Sequence, residues 1–479
     1  MSSKEVSYEA FGATSSYRTF PSARFAILIL VALVCFSSNV AWLSLNFTIA
    51  CMVNATYLYR DNLNSSADSS CRSMAAEVEV EYNGTLAWDR ETQSIVLSAE
   101  AYCGAILTFI LGTVIDRFGL KWLNLICIIL TTVTSAVTPA SAYAGVYVLL
   151  AVRIVQGACA VIVWPAIVVT ASNWFAEPET GFLMGITASG FLVGSLFAME
   201  ISGVICGSIG WEYAYYLSAA ISGLLALLWL LFYCDQPEQV WFISDREKQY
   251  ILKNRKIQQK ESTVKDIPYR ALFTSPAVLA IIFATGTTGY TTYFFADFLP
   301  TFLKEVLALP AFTNGIMSGL PFLMQLIGRL ISGILSDKLS RVISATVSAK
   351  LFVAISSFLP ATIIMVLTIF DCTQYTTVIV LLCAAYLLFG FSIGGTPRAM
   401  VNVAPQFSGL VCCLATGGFF VAGVVVPYIT GALTPNGSAR EWNNALFVTG
   451  IIGIVGGAVF ILFGSSQPQA WSVKAEPSN

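Results

Sequence analysis

The chain has 479 residues, 56% of them hydrophobic and only 11% charged, with a formal net charge of −2. A soluble domain carries roughly a quarter charged residues, so this sequence holds far more apolar length than one soluble core can bury and must use lipid as solvent. It contains no His, which excludes imidazole metal centres, His triads and a His proton relay. A Walker-type phosphate loop is also absent, so nothing suggests a built-in ATPase.

In chain order, the N-terminal tail 1–24 carries YEAF from Tyr8 to Phe11, which fits a Tyr-plus-bulky-residue sorting signal. The first apolar run, 25–50, is too long for a cleaved leader and has no small-residue cleavage site behind it. Loop 51–93 follows, with glycosylation sequons at Asn54, Asn64 and Asn83. Five further runs, at 94–115, 122–141, 145–171, 181–207 and 213–234, complete a first group of six. Linker 235–276 is rich in Lys and Arg. Within it, FISDREKQYILKNRK from Phe242 offers Ser244 as an N-cap and Glu247 three residues later, the pattern of a capping box opening a short amphipathic helix. That helix is expected to float its charged face on water and lipid headgroups. Six more runs lie at 277–301, 312–335, 346–369, 376–396, 404–430 and 444–464, before the tail 465–479. The expectation is an all-α membrane protein of twelve transmembrane helices in two six-helix pseudo-symmetric halves, 25–234 and 277–464.

With both termini cytoplasmic, roughly eighteen basic residues fall inside and about five outside. The three sequons, and a fourth at Asn436 before the last run, then all face outward. The twelve Cys lie mostly in apolar runs, where they read as small packing residues. Cys71 and Cys372 fall near outer loops, where a disulfide between them could survive.

A phrase is repeated half a chain apart: GTVIDRFG from Gly112 and GILSDKLS from Gly333. Topology puts both copies on the cytoplasmic rim. There Gly permits close helix approach, the Asp caps or pairs with a neighbouring helix end, and the cation stays in water. Gly112, Asp116, Arg117, Gly333, Asp337 and Lys338 are therefore expected to form a cytoplasmic gate.

Ionisable residues inside a span are costly and so are functional candidates. Arg153, about two turns into the fourth run, can bind a carboxylate or phosphate bidentately. Counted from the outer ends, Glu200 in the fifth run lies at nearly the same depth and is expected to pair with Arg153 when no anion is bound. Asp297 in the seventh run is a second candidate coupling carboxylate, a turn from Pro300, where water could reach it. Asn46, Gln156, Tyr290 and Tyr293 complete the candidate substrate-binding set, the two Tyr as hydrogen-bonding cavity walls.

Several longer strings carry a resemblance: GWEYAYY from Gly210, QPEQVWFISDREKQYI from Gln236, LPTFLKEVL from Leu299, NVAPQFSG from Asn402 and GALT from Gly431. By these the chain resembles the major facilitator superfamily, and within it the anion/cation symporters that include sialin, the vesicular glutamate transporters and the sodium/phosphate cotransporters. The resemblance implies alternating access, an anion near midplane, Arg153 of RIVQG as its ligand, and the rim motifs as a gate. It also marks departures. Ser44 stands where many members have an Arg in the first span, and Gln156 and Ala160 stand where proton-coupled members carry Glu in the fourth.

These readings converge on a secondary active transporter of an organic or inorganic anion, phosphate-like or a monocarboxylate. Coupling to sodium or protons is left open, as is the choice of plasma, endolysosomal or vesicle membrane. An uncoupled anion uniporter and a non-transporting receptor or sensor are the alternatives; no nucleophile–base pair or metal cluster points to an enzyme. The expected partners are a small anionic solute and the bilayer, with no nucleic acid, no cofactor and a monomer as the working unit.

Overall fold

The computed structural model describes residues 22–53, 84–175, 180–241, 243–254, 269–339, 342–370, 372–404 and 407–472. The sequons at Asn54, Asn64 and Asn83, and Cys71, lie outside them. Twelve helical stretches are long and apolar enough to cross a membrane. In the first half these are Ala23–Met52, Arg90–Phe118, Leu120–Ala144, a fourth span made of Val146–Ala160 and Val163–Trp174, then Thr180–Ser208 and Glu212–Phe232. The second half holds Pro276–Glu305, Ala311–Leu339, Ala345–Leu367, a tenth span broken at Gly390–Gly394, Ser408–Leu433 and Ala439–Phe463.

Local chemistry accounts for the breaks and turns. Pro165 lacks an N–H and its ring crowds the carbonyl four residues back, at Val161, which is where the fourth span turns. The second and third spans are joined by Gly119 alone, at φ +78°, a conformation that L side chains avoid. A Cβ there would also sit 2.9 Å from an Asp235 carboxylate oxygen.

The linker helix, Asp245–Asn254, forms as its local pattern suggests, with the Ser244 hydroxyl accepting from the Glu247 N–H at 3.3 Å. Asp245, Arg246 and Lys253 are exposed, as a charged face on water requires, but one carboxylate of the helix turns inward. The Glu247 carboxylate is only 3% exposed and accepts from the backbone N–H groups of Ala23 (3.1 Å) and Arg24 (3.0 Å), at the start of the first span. Ile251 is fully buried in the first half's core, and Arg24 lies over the Tyr250 ring at 5.0 Å. The N–H groups at a helix start and the positive end of its dipole attract a carboxylate. A second linker carboxylate, Asp235, accepts from the Lys121 N–H at 2.9 Å at the start of the third span.

The hydrophobic core is divided unevenly along the bundle axis. At the end away from the linker, here the far face, one cluster runs through both halves and includes Phe47, Met52, Trp88, Phe295, Leu303 and Trp442. At the linker face there are two separate clusters, one in the first half around Ile167, Trp174 and Trp229, the other in the second half around Val278, Val353 and Phe460. The halves are thus fused at the far face and distinct at the linker face.

Gly203 of the fifth span and Gly315 of the eighth pack backbone against backbone across the halves at the far face. A Cβ on Gly203 would lie 2.7 Å from the Gly315 Cα, so small residues set the contact. Toward the linker face the contacts thin to Phe109 against Gly417 and Trp164 against Cys412.

A disulfide joins Cys51 and Cys206, at the far-face ends of the first and fifth spans, with Cα atoms 6.3 Å apart. This corrects the reading of both residues as packing cysteines. The Cys372 side chain is not among those described.

Candidate functional site between the two halves

The first and seventh spans are the most enclosed, with 61% and 56% of their apolar windows buried, and they meet at the centre of the molecule. Arg153 points into this region from the fourth span and is 1% exposed. Its Nη2 lies 2.6 Å from Glu100 Oε2 of the second span, and its Nη1 donates to Gln156 Oε1 at 2.9 Å. Gln156 in turn reaches Thr138 Oγ1 of the third span at 3.5 Å.

From the other half comes Asp297, also 1% exposed. Asn46 Nδ2 of the first span donates to its Oδ1 at 2.7 Å, so one buried hydrogen bond crosses between the halves. Arg153, Glu100 and Asp297 act on one another electrostatically, and Tyr293 feels all three. The Tyr293 ring is wedged between Trp42 and Phe419, each with its centroid 5.2 Å away.

Of the residues expected from sequence, Arg153, Gln156, Asn46, Tyr293 and Asp297 are therefore brought together. Tyr290 turns instead to Thr449 of the twelfth span. Ser44, at the position of the missing Arg, bonds its own helix through Val40 O at 2.7 Å.

Two expectations are corrected. Glu200 is not the partner of Arg153 here; it packs against the eighth span, with its Cγ 3.2 Å from where a Cβ on Gly319 would lie. Similar depth counted from the helix ends does not fix which helices are neighbours. The fifth span lies between the first and the eighth, whereas the fourth packs on the second and third. Asp297, expected within reach of water, is sealed inside and paired.

Glu100, the ion-pair partner of Arg153, is the residue of this cluster absent from the expected set. The signal was present: LSAEAYCGAIL places a carboxylate inside an apolar run.

Several buried atoms of the cluster have no hydrogen-bond partner: Arg153 Nε, Asn46 Oδ1 and Asp297 Oδ2. Buried polar atoms are almost always satisfied, so these atoms keep unmet bonding capacity inside the bundle. No cluster of three or more His, Cys, Asp or Glu that could hold a metal exists among the described residues.

The far face is latched by a second polar group. Arg90, at the start of the second span, pairs with Glu305 at the end of the seventh, and Trp442 Nε1 donates to the same carboxylate at 2.9 Å. The neighbouring Lys304 ammonium donates to Ala50 O. Both charges belong to LPTFLKEVL, whose adjacent Lys-Glu behind an apolar run was the available clue. Asn436, of the last sequon, is exposed at this face and donates through Nδ2 to Glu441 Oε1 at 2.9 Å.

At the linker face, the side chains of Gly112, Asp116, Arg117 and Asp337 are outside those described. Lys338 is exposed, and a Cβ on Gly333 would meet nothing within 4 Å. The close approach expected at Gly333 is thus not made in this conformation, as the separate cores at this face require.

A family model for the Major Facilitator Superfamily matches residues 27–411. The chain belongs to that superfamily. Among curated relatives, it is 28% identical to human sialin over 458 residues, covering 94% of this chain and 91% of sialin. It is 27% identical to human sodium-dependent phosphate transport protein 1, covering 89% and 90% of the two chains, and 27% identical to a probable small intestine urate exporter from mouse, covering 95% and 93%.

Among solved structures of transporters, it resembles a bacterial homolog of the human lysosomal transporter Spinster, inward-facing and occupied. The TM-score is 0.64 at 12% identity, covering 92% of this chain and 96% of the other. The nucleoside transporter NupG gives a TM-score of 0.60 at 16% identity, covering 92% and 100%. At these identities the structures speak for the fold alone, a superfamily bundle of twelve membrane helices.

Proposed function

We propose that the chain is a secondary active transporter of a small organic or inorganic anion, working by alternating access, with Arg153 as the anion's ligand and protons as the coupling ion. The observation that carries the reading is the Arg153–Glu100 ion pair. An anion that reaches Arg153 must compete with Glu100, and protonating Glu100 releases the guanidinium. Anion and proton therefore favour each other's binding, which is the linkage a symporter needs. The names of the relatives, which include sialin, a phosphate transporter and a urate exporter, support an anionic cargo.

The linker face is taken as cytoplasmic from its Lys and Arg excess, and the far-face disulfide suits an oxidising outer side. On that orientation the bundle is sealed outside and parted inside.

Uptake of phosphate, urate and sialate into proteoliposomes tests the reading, under imposed proton or sodium gradients. Stimulation by an inward proton gradient is the expected result. Stimulation by sodium alone, or flux indifferent to both gradients, would contradict proton coupling.

A further inference from the structure

Each half contains a small polar cavity in an equivalent place, but only the first-half cavity is lined by an amide and thiols. In the first half the cavity lies between the first, third, fourth and sixth spans and is lined by Asn124, Ser37, Ser38, Ser222, Thr131 and Cys159 among others. Its volume open to water centres is ≈ 20 Å³, above the roughly 10–15 Å³ that one water needs. Asn124 is 1% exposed, and neither its Oδ1 nor its Nδ2 has a hydrogen-bond partner. A buried amide with both ends unmet calls for a ligand that donates and accepts, which water does and a cation does not.

Charged groups lie beyond both ends of this cavity. Toward the centre, the Cys159 thiol is hydrogen-bonded with Cys127 and Thr131 and interacts electrostatically with Glu100. Toward the linker face, Asn124 lies one helical turn from Lys121, whose N–H binds Asp235. Burial pushes the Asp235 carboxyl above the usual carboxylate range, against the opposing effect of hydrogen bonds from Lys121 and Leu120. Within the cavity, the Ser37 and Ser222 hydroxyls bond each other at 2.7 Å, and either can donate.

We propose that this cavity holds water and forms a proton route from the linker face to Glu100, separate from the path the anion takes between the halves. The inference rests on the reading of Glu100 as the proton-exchanging group. A proton taken up at Asp235 passes along water and Ser hydroxyls, each oxygen accepting one proton as it releases another. It ends on the Glu100 carboxylate and frees Arg153. The groups facing Glu100 are Arg153 and Cys159 from the fourth span and Asp297 and Tyr293 from the seventh, with Cys127 of the third acting through Cys159 and Tyr428 of the eleventh meeting Tyr102 two residues along. The matching cavity of the second half is lined by Thr287, Thr288, Thr291, Ser356, Ser357 and Thr449, with apolar residues and neither thiol nor amide.

Time-resolved infrared spectroscopy of the purified full-length protein after a pH jump reads carboxyl protonation directly. The Glu100→Gln variant assigns the band. Filling the cavity with Asn124→Leu or Ser38→Leu is expected to slow appearance of the band on the order of tenfold or more, leaving its final amplitude unchanged. Filling the second-half cavity with Ser356→Leu should leave the parental rate. Two independent filled variants keep the test valid if one of them loses the parent's melting transition. Parental kinetics in a folded filled variant would overturn the route alone. A band that survives Glu100→Gln would overturn the reading of Glu100 itself, and with it the route's destination.

Discussion

The two halves have the same architecture and different chemistry. Each contributes six spans, a polar cavity at the same place and a central helix to the interface, yet the Arg, the Glu and the unmet amide all lie in the first half. The second half contributes Asp297, held by Asn46 of the first. On the proposed mechanism, duplication supplies the moving parts and charge placement assigns the ion chemistry to the first half.

This contrast can be broken at graded points. The largest effect is expected for Arg153→Ala, which removes the cation and leaves Glu100 buried without its partner. Anion affinity should fall at least roughly thirty-fold, on the scale of 2–5 kcal/mol for truncating a buried charge pair, read by equilibrium binding of phosphate or sialate. Full affinity in this variant would return Arg153 to a packing role.

Next in size is Asn46→Leu, which strips the cross-half donor from Asp297. Hydrogen bonds to charged groups are worth about 1.5–3 kcal/mol, so the far face should open more often. Spin labels on the far-face ends of the second and eighth spans would report longer distances. Unchanged distances would show that the Asn46–Asp297 bond does not hold the halves together.

A smaller loss is expected for Glu247→Gln in the linker, where a charged cap on the first span becomes neutral. The cost should be about 0.5–2 kcal/mol, visible as a lower melting temperature with anion binding intact.

The smallest belongs to Asp89, the exposed N-cap of the second span. Hydrogen bonding from Thr92 lowers its pKa below the usual carboxylate value. Because the folded-state value is the lower one, this stabilisation is present above the unfolded-state pKa and is lost as pH falls through the folded value. Melting scans of Asp89→Ala and the parent should therefore differ slightly at neutral pH and converge in strong acid.

Much of this molecule is written locally in its sequence. Apolar runs place the twelve spans to within a few residues at most ends, because a lipid-crossing helix must be long and apolar whatever surrounds it. Arg153 and Asp297 are legible by the same rule, since charge in such a run is expensive. What the sequence hides is lateral adjacency. Glu100 and Glu200 are both carboxylates in apolar runs, and only the packing order of spans decides that the first meets Arg153. The Cys51–Cys206 bond is hidden for the same reason, as two cysteines in separate runs gain meaning only when their helix ends converge. Glu247 shows local grammar overruled: its capping box forms in part, but the buried start of the first span takes its carboxylate.

The most direct test of the Arg153–Glu100 competition is anion affinity measured against pH in the parent and in Glu100→Gln. In the parent, affinity for the bound probe, phosphate or sialate, should rise as pH falls and Glu100 takes its proton. In Glu100→Gln it should be high and flat, because no carboxylate competes for Arg153. A variant that keeps the parental pH dependence, or that loses anion binding altogether, would contradict Glu100 as the proton-linked competitor.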